Sequence, residues 1–210
     1  MKLADFDYDL PAEAIATHPA NPRDAARLLD LVGERMVDRH VRDLPSLLRA
    51  GDLLIVNNTR VIPARLIGRR GAARINITLH KHEKAYGAAN IWRVFAKPAK
   101  KCRPDDIIHF APDFVARVLG RGAGGDVELG FINPDDGRDL DAAEMDARLA
   151  TYGSMPLPPY IARPDGATGA DAADYQTMFA SQKGAIAAPT AGLHFTDALM
   201  TALAQAGVAV

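Results

Sequence analysis

Cysteine and long apolar runs are scarce in this sequence of 210 residues. The single cysteine, Cys102, excludes a disulfide bond within the chain and is typical of a reducing compartment. No apolar run approaches the length that crosses a bilayer, and the N-terminal residues lack the apolar centre of a secretory signal. We therefore expect a soluble, cytoplasmic monomer that makes no contact with a membrane.

Two further absences limit the chemistry. None of the six histidines is paired with cysteine at a spacing typical of metal ligands, so we expect no metal. No glycine-rich loop of the G-x-G-x-x-G kind follows a predicted strand, which argues against a Rossmann-type nucleotide site.

The net charge of −1 hides a separation of charge along the chain. Residues 60–103 carry twelve lysines and arginines against one acid, whereas residues 104–150 carry eleven acids against four arginines. A basic block of this kind indicates an anionic partner, of which nucleic acid is a common one. The alternative is that the two segments pair in space and neutralise each other, and the charges alone leave both open.

The apolar pattern predicts a hairpin, several helices and one central strand outside the basic segment. The hairpin strands are expected over residues 27–32 and 35–41. Residues 52–56 (DLLIV) form a continuous apolar run, typical of a strand buried on both faces. The remaining expected elements are helices over residues 11–17, 43–49, 140–150, 171–180 and 196–206, and a strand over residues 185–188.

A different pattern, short β-rich runs with no helix between them, occupies the middle of the chain. The runs are residues 61–67, 74–80, 91–96, 107–110, 114–119 and 126–131. Such a series predicts a small antiparallel barrel or sandwich, inserted into a surrounding domain. We therefore expect a first domain part at residues 1–59, the inserted barrel at 60–138, and the second domain part at 139–210.

Two segments near the C-terminus combine residues that an ordinary core element does not need. Residues 153–161 (GSMPLPPYI) contain three prolines and predict a rigid apolar loop. Residues 184–196 (GAIAAPTAGLHFT) combine small residues, which let backbone approach a ligand, with His194, which exchanges protons near neutral pH. The plainer alternative for the second segment is a buried strand, a turn and a capped helix.

Four motifs occur in an order that resembles one enzyme family. They are NNTRVIPAR (residues 57–65), GSMPLPPYI (153–161), YQT (175–177) and APTAGLHFT (188–196). Weaker matches are DFDYDLP (5–11), RDAARLL (23–29), GDLLIV (51–56) and KPAKK (97–101). Together they resemble the S-adenosylmethionine:tRNA ribosyltransferase-isomerases of queuosine biosynthesis over the whole chain. The sequence departs from the usual pattern at Asn58, Asn76, Ser154 and Phe179.

The resemblance implies a fold, a reaction and partners. The implied fold class is α+β: an α/β (three-layer) domain with an inserted small antiparallel β-barrel. The implied reaction transfers the ribosyl part of S-adenosylmethionine, the co-substrate, to 7-aminomethyl-7-deazaguanine at the wobble position of tRNA, without a metal. Adenine and methionine are released and epoxyqueuosine is formed. Because the family continues beyond residue 210, the alternative is an inactive fragment or a non-catalytic tRNA-binding module.

Candidate site residues follow from these motifs. His194 is the first candidate for proton transfer and Tyr175 for proton donation or base stacking; a turn histidine and a core tyrosine are the alternatives. The candidate substrate-binding residues are Asn57, Asn58, Thr59, Arg60, Arg65, Met155, Pro156, Leu157, Pro158, Tyr160, Asp174, Gln176, Thr190, Gly192 and Thr196. The candidate tRNA phosphate contacts are Arg69, Arg70, Lys97, Lys100 and Lys101. For the arginines and the proline-rich loop, solvated side chains and a structural linker remain open alternatives.

Overall fold

The structure is a computed structural model that describes residues 2–83, 90–158, 160–161, 163 and 167–210. Its strands are β1 (Arg27–Val32), β2 (Arg35–His40), β3 (Thr59–Val61), β4 (Arg65–Arg70), β5 (Ala73–Glu83), β6 (Asn90–Lys97), β7 (Ile107–Ala111), β8 (Phe114–Arg121), β9 (Asp126–Ile132) and β10 (Gln182–Ala185). Its α-helices are α1 (Leu44–Leu47), α2 (Ala142–Tyr152), α3 (Gly169–Asp174) and α4 (Asp197–Gln205).

Strands β4 to β9 form a closed antiparallel barrel in the order β4-β5-β6-β9-β8-β7. Alternation of apolar and polar residues produces it, because successive side chains of a strand point to opposite faces. Along β5, for example, Ile75, Ile77 and Leu79 are completely buried, whereas Arg74 and His80 are exposed. The predicted barrel is therefore confirmed, and the last five predicted strands correspond to β5 to β9.

The first predicted barrel strand, residues 61–67, is wrong as a single element. Proline has no N–H to donate to a ladder, and Pro63 divides this segment into β3 and β4. Val61 pairs with Ala185 of β10, whereas Arg65 pairs with Thr78 of β5. The chain thus passes from one sheet to the other at Pro63.

The barrel encloses the largest apolar core of the described residues. Phe114 and Phe131 stack inside it with ring centroids 5.4 Å apart, and both are completely buried. Helix α2, capped by the carboxylate of Asp141, adds Met145 and Leu149 to the same core. The helix predicted over residues 140–150 is present, displaced by two residues towards the C-terminus.

Outside the barrel, the described residues form two sheets of two strands each. Strand β3 pairs in parallel with β10, and β1 pairs with β2 in the predicted hairpin. Helix α4 begins after its predicted cap, Thr196, and packs Leu199 and Leu203 against Val41 and Val208. The predicted fold class, an α/β part with an inserted antiparallel barrel, is confirmed.

The strand predicted over residues 52–56 is wrong. In the described part of the chain this segment makes one parallel bridge, between Leu53 and Ala209, and Leu53 and Ile55 are 63% and 84% exposed. An apolar run is buried on both faces only where other elements cover both, and here a single neighbouring segment lies beside it.

The remaining predicted elements are shorter or displaced. The helix expected over residues 11–17 is a 3₁₀ turn at Ala12–Ala14, and that expected over 43–49 is α1. The helix expected over 171–180 is α3, which starts two residues earlier and ends at Asp174. The strand expected over 185–188 is wrong in its bounds, because the strand found here, β10, lies three residues earlier and shares only Ala185 with it. Arg23 donates to the carbonyl oxygens of Ala173 and Gln176, at and just beyond the end of α3.

The close packing of Gly153, at the end of α2, against the chain at Pro63 can be tested by substitution. A Cβ at this position would collide with the carbonyl oxygen of Pro63 and lie 2.6 Å from that of Leu149. We expect Gly153→Ala to lower the free energy of unfolding in urea by about 1–3 kcal/mol, because a packed backbone must move. Gly169→Ala is the matched control, since nothing lies within 4 Å of its Cβ position. Equal stability of the two variants would contradict the packing described.

Candidate active site

Two cavities share one wall, which is the proline-rich loop. The first, here called the histidine pocket, has a volume of about 320 Å³ and lies between residues 15–19, the end of α3 and the 3₁₀ turn at Thr190–His194. The second, here called the barrel groove, has a volume of about 850 Å³ and lies between the loop and strands β4, β5 and β6. The residues that line both are Leu157, Pro158, Ile161 and Arg163.

His194 lies at the end of the Thr190–His194 turn and lines the histidine pocket. The ring is half-buried, and it makes no hydrogen bond or ion pair with any residue that the structure describes. Both ring nitrogens are therefore available to a bound molecule. Thr190 lines the same pocket, while Gly192 lies against Thr177, with 3.1 Å between the Cγ2 of Thr177 and the position of a Cβ.

Tyr175 follows α3 and forms part of the same lining. Its side chain is 7% exposed and packs in an apolar cluster with Val61, Met155 and Ala188. Its hydroxyl makes no hydrogen bond within the described residues. The geometry thus gives Tyr175 a position in the apolar core at the wall of the histidine pocket.

Arg23 ties the segments around the histidine pocket together. It donates hydrogen bonds to the carbonyl oxygens of Ala173 (2.8 Å), Gln176 (2.8 Å) and Leu193 (3.4 Å), and it lies 3.5 Å from the carboxylate of Asp174. One guanidinium therefore joins the end of α3 to the turn that carries His194. Sequence reasoning missed this role, although Arg23 belongs to the RDAARLL match.

Gln176 joins α3 to the start of the barrel insertion. Its side-chain oxygen accepts from the N–H of Val61 (3.0 Å) and its amide nitrogen donates to the carbonyl of Val61 (2.7 Å). The side chain thus replaces a neighbouring strand on the free edge of β3. Its predicted role in substrate binding would require a molecule to displace these bonds.

A buried ion pair forms the base of the pocket. Nε and Nη2 of Arg163 donate to the carboxylate of Asp171 at 2.8–3.1 Å, and Nη2 also donates to the carbonyl of Thr17. Asp171 is 4% exposed and accepts two further hydrogen bonds from Thr168. The Arg163 guanidinium and the Thr168 bonds hold the pKa of the Asp171 carboxyl far below its usual range. Neither Arg163 nor Asp171 was among the predicted site residues.

The NNTRVIPAR residues lie away from the histidine pocket. Asn57 accepts two bonds from Thr59, the carbonyl of Asn58 accepts from Ser181 and Gln182, and Arg60 donates to the carbonyl of Ala180. Arg65 is the member of this motif that lines the barrel groove. The motif therefore holds β3 and the segments beside it in place, and Arg65 lines the barrel groove.

The residues of the proline-rich loop are distributed between the two cavities. Met155 is buried in the Tyr175 cluster, Pro156 lines the barrel groove, and Tyr160 lines the histidine pocket while remaining 59% exposed. Pro159 lies outside the described residues. Thr196 caps α4 and donates to the buried carboxylate of Asp24 at 2.6 Å.

The predicted phosphate contacts lie on the barrel. Arg69, Lys97, Lys100 and Lys101 are exposed and make no ion pair within the described ranges. Arg70 differs, since it forms an ion pair with Asp106 at 2.8 Å. The two oppositely charged segments thus neutralise each other in part, and the basic segment keeps unpaired cations.

Neither a membrane span nor a metal cluster is found in the part of the chain that the structure describes. No helix there is long and apolar enough to cross a bilayer. No group of three or more His, Cys, Asp or Glu side chains there is arranged to hold a metal ion.

The Asp171 ion pair makes the free energy of unfolding depend on pH in the acid range. Because the folded pKa lies below the unfolded value of about 3.9, the carboxylate stabilises the fold above that pH and loses its effect as pH falls through the folded pKa. We expect Asp171→Asn to lower stability at neutral pH, with the difference from wild type narrowing in acid. Urea unfolding measured across pH values checks this. Asp135→Asn, at an exposed loop carboxylate, is the control, and a difference that stays constant with pH would contradict the assignment.

Comparison with known proteins shows which family this chain matches. A family model described as queuosine biosynthesis protein matches residues 3–210. Two relatives named S-adenosylmethionine:tRNA ribosyltransferase-isomerase, from Methylocella silvestris and Phenylobacterium zucineum, are each 50% identical to the chain. The matches cover 100% and 99% of the chain, and 58% and 59% of the relatives.

A solved structure of an S-adenosylmethionine tRNA ribosyltransferase from Thermotoga maritima is 30% identical, with a TM-score of 0.35. That match covers 98% of the chain and 55% of the solved chain. The chain therefore spans little more than half the length of the proteins it matches. The family model, which matches nearly the entire chain, shows that the chain belongs to the queuosine biosynthesis protein family.

Proposed function

We propose that this chain provides the proton-transfer pocket and part of the tRNA surface of an S-adenosylmethionine:tRNA ribosyltransferase-isomerase. The proposed reaction moves the ribosyl part of S-adenosylmethionine to 7-aminomethyl-7-deazaguanine in the wobble position of tRNA. Support comes from the names of the relatives, which are 50% identical over the length of this chain. The observation that carries the proposal is His194, whose ring faces a cavity and has no partner in the described residues.

The reaction needs both a base and an acid. The sulfonium of S-adenosylmethionine makes the neighbouring ribose carbon acidic, so a base must remove a proton there. Adenine departs more easily if an acid delivers a proton to it. Methionine leaves when the sulfur–ribose bond breaks, and the product is epoxyqueuosine. An imidazole exchanges protons near neutral pH, so His194 is suited to one of these steps.

The remaining pocket groups suit the parts of this co-substrate. Leu157, Pro158 and Tyr160 offer an apolar wall on which adenine can pack, and Tyr175 lines the same cavity. The side chain of Asp174 is 39% exposed and its carboxylate lies 3.5 Å from Arg23, so a ribose hydroxyl or a cationic group that binds the carboxylate would share it with that arginine. The volume of about 320 Å³ lies near the lower end of the range of ligand sites, roughly 300–1,000 Å³.

The first test measures adenine release from S-adenosylmethionine in the presence of tRNA that carries the deazaguanine base. It uses the 210-residue chain and the same chain completed with the C-terminal part of the Methylocella silvestris relative. We expect His194→Ala to lower the rate of release at least about a hundredfold, because general acid–base catalysis contributes that much. Binding of tRNA should persist. His109→Ala, at an exposed barrel histidine outside the histidine pocket, is the matched control.

Two outcomes would contradict the proposal. One is full adenine release by His194→Ala, which would remove the residue from the chemistry. The other is tRNA binding without any release by the completed chain. That result would favour the alternative of a non-catalytic tRNA-binding module, for which the exposed, unpaired Arg69, Lys97, Lys100 and Lys101 already provide a basis.

A further inference from the structure

An aromatic pair lies exposed on the outer face of the barrel, where neither the fold nor the histidine pocket requires it. The rings of His80 on β5 and Phe95 on β6 have centroids 4.8 Å apart. Phe95 is 48% exposed, and His80 is exposed as well. Large apolar side chains on a barrel normally point inward, as those of Val94 and Leu79 do. The outward position of Phe95 therefore gains the fold little.

A β-bulge interrupts the pairing on this face at His80. The pairing between β5 and β6 shifts between Leu79 and Lys81, so that His80 is the extra residue. Alternation from the buried Leu79 already turns His80 outward, and the bulge keeps Lys81 exposed as well, where alternation would place it inside. Bulges of this kind occur next to functional sites, where they redirect a side chain.

Three cations lie in the row of Phe95 and in the two rows beyond it on the same face. Arg65 lies opposite Thr78, which in turn lies opposite Phe95, and Lys97 lies opposite Asn76 in the next row. Arg74 follows on β5, and none of these three cations makes an ion pair within the described residues. An acid on the neighbouring strand, Asp126 opposite Phe95 on β9, is itself paired with Arg93. The face is thus positive beside an apolar centre.

This face forms one side of the barrel groove. Phe95, Arg65, Lys97 and Asn76 line the groove, whose other side is Pro156, Leu157 and Pro158. Two of those loop residues also line the histidine pocket. The groove, at about 850 Å³, falls in the range of roughly 300–1,000 Å³ found for small-ligand sites, which leaves room for a nucleotide.

We propose that Phe95 and His80 form a stacking platform for an unpaired base of an RNA loop, with Arg65, Arg74 and Lys97 holding the neighbouring phosphates. Aromatic side chains beside a cationic groove are the arrangement that binds single-stranded nucleic acid. The inference rests on the proposed function for its choice of RNA. It adds a recognition site on the other side of the proline-rich loop from the histidine pocket. One RNA strand could reach both sites.

The test measures binding of a labelled RNA hairpin by fluorescence anisotropy, with a blunt duplex of the same stem for comparison. The hairpin should bind more tightly than the duplex. We expect Phe95→Leu, which keeps apolar area but loses the ring, to weaken hairpin binding about tenfold. Phe95→Tyr should retain it within about twofold, since the ring still stacks. Leu119→Ala, at a 42% exposed leucine on β8 across the barrel, is the control and should not change affinity.

The salt dependence separates phosphate contacts from stacking. Arg74→Gln should lower the slope of log K against log salt by about one, whereas Phe95→Leu should leave the slope unchanged. The matched control is Arg117→Gln, an exposed arginine on β8. Unfolding midpoints of all variants establish that they fold.

The proposal is overturned if Phe95→Leu binds the hairpin as wild type does, or if Phe95→Tyr loses as much affinity as Phe95→Leu. Its failure is distinct from failure of the proposed function. Intact affinity in Phe95→Leu with normal adenine release refutes the platform alone. Weakened hairpin binding in Phe95→Leu, with no adenine release from any completed chain, refutes the reaction and supports the platform.

Discussion

The two hydrogen bonds between the side chain of Gln176 and the backbone of Val61 are the contact on which the candidate site depends. β3 is only three residues long, and it is paired with β10 on one edge. Gln176 satisfies the N–H and the carbonyl that point the other way, at 3.0 and 2.7 Å. Because Val61 is nearly fully buried, leaving those groups unpaired would be costly. The bond pair fixes the end of α3 to the chain that enters the barrel.

Arg23 extends this framework to the other side of the pocket. By binding carbonyl oxygens of both the α3 end and the turn before His194, it sets the distance between Tyr175 and His194. The proline-rich loop then separates the histidine pocket from the barrel groove while contributing residues to both. The proposed small-molecule pocket and the proposed cationic nucleic-acid surface thus lie on opposite sides of one loop. This arrangement suits the reaction that we propose, between a nucleoside-containing co-substrate and a tRNA base.

The sequence predicted the barrel well because each of its strands alternates over its own length, and alternation is a local property. It failed for residues 52–56, where burial depends on what covers the segment, and for the end of α3, where the carbonyl oxygen of Ala173 binds Arg23, 150 positions away along the chain. In the candidate site, too, residues in local motifs were predicted and residues that act through distant contacts were not. His194 and Tyr175, which were predicted from their motifs, both line the histidine pocket, whereas Arg23, Asp171 and Arg163 act through contacts between distant segments that no local pattern encodes. Gln176 and Thr196 were predicted as ligand contacts and are occupied by backbone and capping bonds.

We propose that the histidine pocket binds S-adenosylmethionine with His194 next to the ligand. NMR can follow the imidazole resonances of the 210-residue chain during titration with S-adenosylmethionine. We expect saturable shifts of the His194 signals, smaller shifts of His18, which lines the same pocket, and none of His109 on the barrel. Unchanged His194 signals, or equal shifts of His194 and His109, would contradict it.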